Sequence, residues 1–279
     1  MKVFRIKLAA VLFMVVAVVG GPLVGTAEAA GKVALVMDVG GRGDLSFNDM
    51  GFKGADEAVA KFGMELVEIQ SNSAADYLPN LQNAARSNAF DLIIGVGFLL
   101  ADAMAEVTDQ FPNQKFAIID VTWLGKPNLQ EVGFEEHKGS ALVGALGAMV
   151  AAHYGYDKIG VVLGIEIPVL YKFEAGYRFG LHWGNAKTAE VTGKAADVGL
   201  LWTYTGTFSD IAKGKMATQA MLAQGAGLIY NVAGPLGIGD LEAITEHLEA
   251  KGKTAGPPFM IGVDANQDYL GDGHRVLAS

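Results

Sequence analysis

From Lys32 onward, short apolar runs of β character alternate with longer segments in which apolar residues recur at helical spacing. That rhythm is the signature of a parallel sheet with helices on both faces, because each parallel strand needs a crossover to reach the next. Val33–Met37 opens the series and ends at Asp38, and Phe52, Ala55, Ala58, Val59 and Phe62 then predict a helix that Gly63 closes. Strands follow at Met64–Ile69, Leu92–Val96 and Phe116–Ile119, with helices at Leu78–Ser87 and Ala101–Gln110, and the fourth strand ends at Asp120.

After a polar stretch through Glu131 to His137 the rhythm restarts. Helices are expected at Gly139–Tyr154, Pro168–Trp183, Ser209–Ala223 and Gly237–Lys251, and strands at Ile159–Leu163, Trp202–Tyr204, Leu228–Val232 and Phe259–Val263, the last ending at Asp264. The fold class is therefore α/β with two lobes, residues 31–135 and residues 136–279, each a parallel sheet flanked by helices. Two such lobes leave a cleft at the carboxyl ends of their strands, where open α/β sheets hold ligands. Val276–Ser279 reads as an uncapped terminal strand, which predicts a fragment of a longer protein; a short chain ending on an edge strand is the alternative.

Residues 1–30 read as a signal peptide. Lys2, Arg5 and Lys7 precede an apolar run from Leu8 to Val19, which is short for a membrane span. Gly20, Gly21 and Pro22 follow, and Ala27-Glu28-Ala29 predicts cleavage after Ala29 or Ala30. The sequence holds no cysteine, which excludes disulfides, thiolate metal sites and thiol catalysis and predicts a mature protein free in the periplasm, or secreted. A net charge of −9 with no Lys/Arg run argues against nucleic acid as a partner.

The densest set of candidate binding groups is Gly40–Gly54, between the first strand and the first helix. Its glycines let backbone approach a ligand, Asp44, Asn48 and Asp49 offer hydrogen-bonding groups, and Phe47 and Phe52 offer rings that could stack on a flat base. Asp44 or Ser46 as a helix cap and Phe52 as core are the competing readings. The spacing is not that of a dinucleotide loop, and Asp44 would repel a pyrophosphate, so no nucleotide cofactor is expected. Asp38, Asp120 and Asp264 each follow a strand and could accept hydrogen bonds from hydroxyl or ring N–H groups; Tyr230 to Gly237 is the matching strand-to-loop transition in the second lobe. Catalysis finds little support. Gly-x-Ser-x-Gly and His-Glu-x-x-His are absent, and His137, His153, His182, His247 and His274 are too scattered for a metal site.

These motifs resemble the basic membrane protein (Bmp, PnrA-like) family of ABC-transporter substrate-binding proteins. The resemblance is carried by Gly43-Asp44-Leu45-Ser46-Phe47-Asn48-Asp49, Phe116–Asp120, Ile167-Pro168-Val169, Phe173–Tyr177, Phe208-Ser209-Asp210 with Lys213-Gly214, Val232-Ala233-Gly234 and Ile261–Gln267. It implies a type I periplasmic-binding fold that captures a nucleoside, purine for preference, between its lobes as a monomer, without cofactor or metal, and hands it to a membrane permease. On that resemblance Asp44, Asn48 and Phe52 contact the ligand from the first lobe, Asp120 adds a polar contact, Tyr230 stacks from the second lobe, Gly234 admits the ligand and Asp264 grips ribose hydroxyls. Leu45 stands where the family usually has Lys and Pro235 where Gly is frequent, which leaves the solute open. The resemblance also implies a further segment returning to the first lobe. The alternatives are a binding protein for a sugar or signal feeding a sensor, and a nucleoside hydrolase.

Overall fold

A computed structural model describes residues 31–193 and 195–279; the signal peptide expected over residues 1–30 lies outside the described residues. The first sheet takes β1 (Lys32–Met37), β2 (Glu65–Gln70), β3 (Leu92–Val96), β4 (Phe116–Ile119) and β5 (Leu129–Val132) in the order β2-β1-β3-β4-β5. Helices α1 (Phe47–Phe62), α2 (Tyr77–Arg86) and α3 (Ala101–Gln110) connect them. After α4 (Glu136–Tyr154), the second sheet takes β6 (Lys158–Leu163), β7 (Gly199–Tyr204), β8 (Ala226–Val232), β9 (Phe259–Ile261) and β10 (Val276–Ala278), with α5 (Pro168–Thr192), α6 (Ile211–Ala223) and α7 (Leu236–Glu249) between. Its order β10-β9-β8-β6-β7, read in reverse, repeats the winding of the first sheet, and every pairing in both sheets is parallel.

Each sheet is buried by helix packing on its apolar faces. Ala34, Val36, Ile93, Phe116 and Ile118 form one core with Leu81, Met104 and Val107 of α2 and α3. On the other face of β1 and β3, Leu35, Met37 and Val96 pack around Phe52 of α1. In the second lobe one face packs on α4 and α5 and the other on α6 and α7.

Two differences from the sequence reading have simple causes. Leu129–Val132, expected as part of a polar connection, is the edge strand β5, whose Gln130 and Glu131 interrupt any apolar run while Leu129 pairs with Phe116. Helix α5, expected to stop at Trp183 before Gly184, continues to Thr192 and ends on Gly193 in the left-handed region (φ 67°). Gly176, Gly180 and Gly184 are spaced at one helical turn along the seam with α4, where a Cβ on Gly180 would overlap the Ala141 carbonyl. The glycine is there for close helix contact, not for termination.

Two tests follow from this packing. Gly180→Val should cost about 2–3 kcal/mol of stability by forcing α4 and α5 apart, read as a lower urea midpoint. Asp240, buried between α6 and α7, accepts a hydrogen bond from Thr218 at 2.8 Å on one oxygen, while the other has no partner. Burial pushes its carboxyl up to about 7, the Thr218 bond opposing. A carboxyl raised in the folded state favours folding most below its unfolded pKa of about 4, and that advantage is lost as pH rises to about 7. Asp240→Asn should therefore raise Tm at pH 8.5, with the gain vanishing below pH 4.

Candidate functional site

The carboxyl ends of both sheets meet at one cleft. The first lobe contributes Asp38 after β1, Gly97 and Phe98 after β3 and Asp120 after β4; the second contributes Ile165 after β6, Gly206 after β7, Gly234 after β8 and Asp264 after β9. The enclosed volume is about 210 Å³.

The loop from Asp38 to Asp49 is wound around two carboxylates. Asp44, 6% exposed, accepts from the backbone amides of Ser46 (3.0 Å), Asn48 (2.8 Å) and Asp49 (3.0 Å), and so supplies the anion that the first turn of α1 requires. Asp49 accepts from the amides of Gly43 (2.8 Å) and Leu45 (3.0 Å). Gly41 and Gly43 take positive φ (60° and 88°), which lets the chain turn this tightly. Asp44 thus performs the capping that the sequence offered as one reading, while its side chain also borders the cleft.

Asn48 is buried at the cleft wall. Its amide donates to Asp38 Oδ1 at 3.0 Å, while its own Oδ1 has no partner. A buried acceptor without a donor costs free energy, and the residue that carries it lines the cleft. Asp38 also accepts from the Gly40 amide at 2.8 Å, and burial raises its pKa.

Asp120 and Asp264 both adopt left-handed backbone (φ 67° and 63°), a conformation concentrated at functional sites when the residue is not glycine. Among the described residues no hydrogen-bond donor reaches the Asp120 carboxylate. Burial first, then the charges of Asp264 and Glu136, push its carboxyl up to about 7, against the pull of Lys172. Crowding between the lobes raises Asp264 to about 6, with the Ser46 hydroxyl bond opposing and Asp44 adding to the rise. By surface area Asp264 keeps an exposed face.

Of the residues expected from the sequence, Asp44, Asn48, Asp120, Gly234 and Asp264 are brought together here; Phe52 is not, and Tyr230 lines a second cavity that shares Phe47, Asp120, Phe173 and Asp264 with this one. Phe52 is 3% exposed in the core, with the Arg42 guanidinium 3.9 Å over its ring and Arg42 paired with Glu68. It lies more than one helical turn beyond Phe47, and only Phe47 at the start of α1 borders the cleft. Tyr230 lies inside β8 with its ring 5.0 Å from that of Tyr177 and its hydroxyl 3.3 Å from Ser140.

The rings that do border the cleft are Phe47 and Phe98 from the first lobe and Phe173 and Phe208 from the second. Phe98 had a legible signal, since it follows strand and Gly97 as Asp38 follows its strand. Phe208 lies in the loop after β7, whereas Phe173, inside α5, reaches the cleft only through the fold. Phe208 seats against Gly164, where a Cβ would overlap its ring. Among the described lining residues four are aspartates and none is Lys, Arg or His.

An uncharacterized lipoprotein of Pyrococcus furiosus is 38% identical over 96% of this chain and 66% of its own length. The ABC transporter nucleoside-binding protein BmpA of Lactococcus lactis subsp. cremoris is 32% identical over 86% of this chain and 65% of its own. Among solved structures, an ABC transporter system solute-binding protein from Aeropyrum pernix K1 superposes with TM-score 0.77 at 37% identity, covering 85% of this chain and 63% of that one. A periplasmic ribose ABC transporter protein from Conexibacter woesei, TM-score 0.56 at 18% identity, shares the fold alone. The chain spans about two thirds or less of the length of these curated relatives. Residues 31–279 match the Bmp family, and the chain belongs to it: the ABC transporter substrate-binding, PnrA-like proteins, a family of binding proteins and not of enzymes.

Proposed function

We propose that this protein captures one nucleoside, purine for preference, in the cleft between its lobes on the extracytoplasmic side of a membrane, for delivery to an ABC permease. The observation that carries this reading is the pairing of phenylalanine rings from both lobes with aspartates and the unpartnered Asn48 oxygen in one cleft. A base has two apolar faces and a rim of N–H groups, and a ribose offers hydroxyl donors; rings and carboxylate acceptors suit each in turn. The name of the Lactococcus relative supports the same class. A solute that touches both lobes stabilises the closed form, which a permease can distinguish from the open one.

Mass spectrometry of small molecules released by denaturing the purified protein, together with thermal-shift titration against adenosine, guanosine, inosine, uridine and ribose, tests the assignment. A purine nucleoside should raise Tm at near 1:1 stoichiometry and ribose alone should not; a shift with ribose and none with nucleosides would reject it.

Charge sharpens the expectation. With four aspartates and no basic residue on the described wall, guanosine should bind at least about a hundredfold more tightly than its 5′-monophosphate in isothermal titration.

Affinity should also depend on pH. Solute donors favour the ionised carboxylate, so binding lowers the raised pKa of Asp120 and is strongest above it. The Kd should be about tenfold higher at pH 5.5 than at pH 8. Asp120→Asn should weaken binding at pH 8 and flatten this dependence.

A further inference from the structure

Two hydrogen bonds link the lobes directly, protein group to protein group, at the edge of the cleft. The Ser46 hydroxyl donates to Asp264 Oδ2 at 2.7 Å, with the Val263 carbonyl 3.4 Å away. The Gln267 amide Nε2 donates to the Leu45 carbonyl at 2.8 Å. Ser46 and Gln267 are both buried (0% and 2% exposed), so these are not loose surface contacts.

Each side of the contact is built to present its group. In the first lobe, Leu45 is held at φ 57° while its amide donates to Asp49, which turns its carbonyl toward the second lobe. A left-handed conformation is costly for a leucine and persists only where the surroundings impose it. In the second lobe, Gln267 Oε1 accepts from the Val263 backbone amide at 3.0 Å, and the Gln267 backbone N–H donates to the Ser279 hydroxyl at 3.0 Å. Those bonds fix the side chain before it reaches across. Gly234, at φ 55°, completes the seat, with a Cβ there falling 3.6 Å from the Ser46 side chain.

We propose that Ser46 and Gln267 form a solute-independent clasp between the lobes, setting how much of the protein is closed before any solute arrives. Ser46 is in addition a positioning residue for Asp264. By occupying Oδ2 it leaves Oδ1 for the cleft and fixes the carboxylate plane. The clasp therefore raises affinity by pre-organisation, lowering the cost of closure that a solute must otherwise meet.

The absence of native cysteine makes the test direct. Dyes placed by Glu57→Cys on α1 and Ala220→Cys on α6 report the distance between lobes by single-molecule energy transfer, with no solute present. The parent should show a dominant short-distance population. In Ser46→Ala/Gln267→Met the ratio of closed to open protein should fall about tenfold or more, with Ser46→Thr, which keeps the hydroxyl, close to the parent. Circular dichroism establishes folding of each variant, and Ser46→Ala alone serves if the double variant does not fold. A parent already at the long distance, or a folded variant with the parent's distribution, overturns the proposal. Because no solute is added, either result is independent of which solute the cleft takes.

Discussion

Every strand in both sheets is parallel, and the cleft depends on that single constraint. Parallel strands place all their carboxyl ends along one edge, and a sheet wound outward from a central strand leaves a crevice there. Two lobes with the same strand order, set with these edges facing, convert two shallow crevices into one enclosed cleft. This is why residues distant in sequence, such as Asp38, Asp120, Gly234 and Asp264, have a common address: each comes within a few residues of a strand end.

The constraint carries an electrostatic consequence. Bringing four carboxylates to one edge is unfavourable unless each finds donors, and the structure meets the need unequally. Asp44 is satisfied by three backbone amides, Asp38 by an amide and Asn48, and Asp264 by Ser46 from the opposite lobe. Asp120 receives none among the described residues, and burial raises its pKa to about 7. Asp120, half-buried and lining the same cleft as Asn48, is left open to donors from outside the chain. The nucleoside proposed above would supply such donors, whereas an anionic solute would meet repulsion.

The fold was legible because it rests on periodicity. Ala101–Gln110 and Phe116–Ile119 were readable residue for residue, since apolar spacing alone defines them. Edge strand β5 was not, because a strand buried on few sides carries little apolar signal. In the site, residues directly after strands could be named from sequence, as Asp120 and Asp264 show. Aromatic residues could not be sorted the same way, since Phe47 and Phe52 sit on one short helix and only the fold decides which faces the cleft and which the core. Tyr230 illustrates the same limit, because its place within β8 is readable but the helices above it are not. The contacts of Ser46 and Gln267 span more than two hundred residues of chain and leave no local pattern at all.

Asp264 joins the two halves of this account. One oxygen closes the lobes through Ser46, and the other remains available to the cleft, so a single carboxylate takes part in both closure and capture. A solute donor that engages Asp264 meets a carboxylate already oriented and already partly desolvated. Less rotational freedom is then lost on binding, and each hydrogen bond formed contributes more to affinity. The same sharing limits how far the clasp could be strengthened. A closed form too stable without solute would admit nothing, so a binding protein is best served by a clasp of a few hydrogen bonds whose loss or gain moves the equilibrium by a moderate factor.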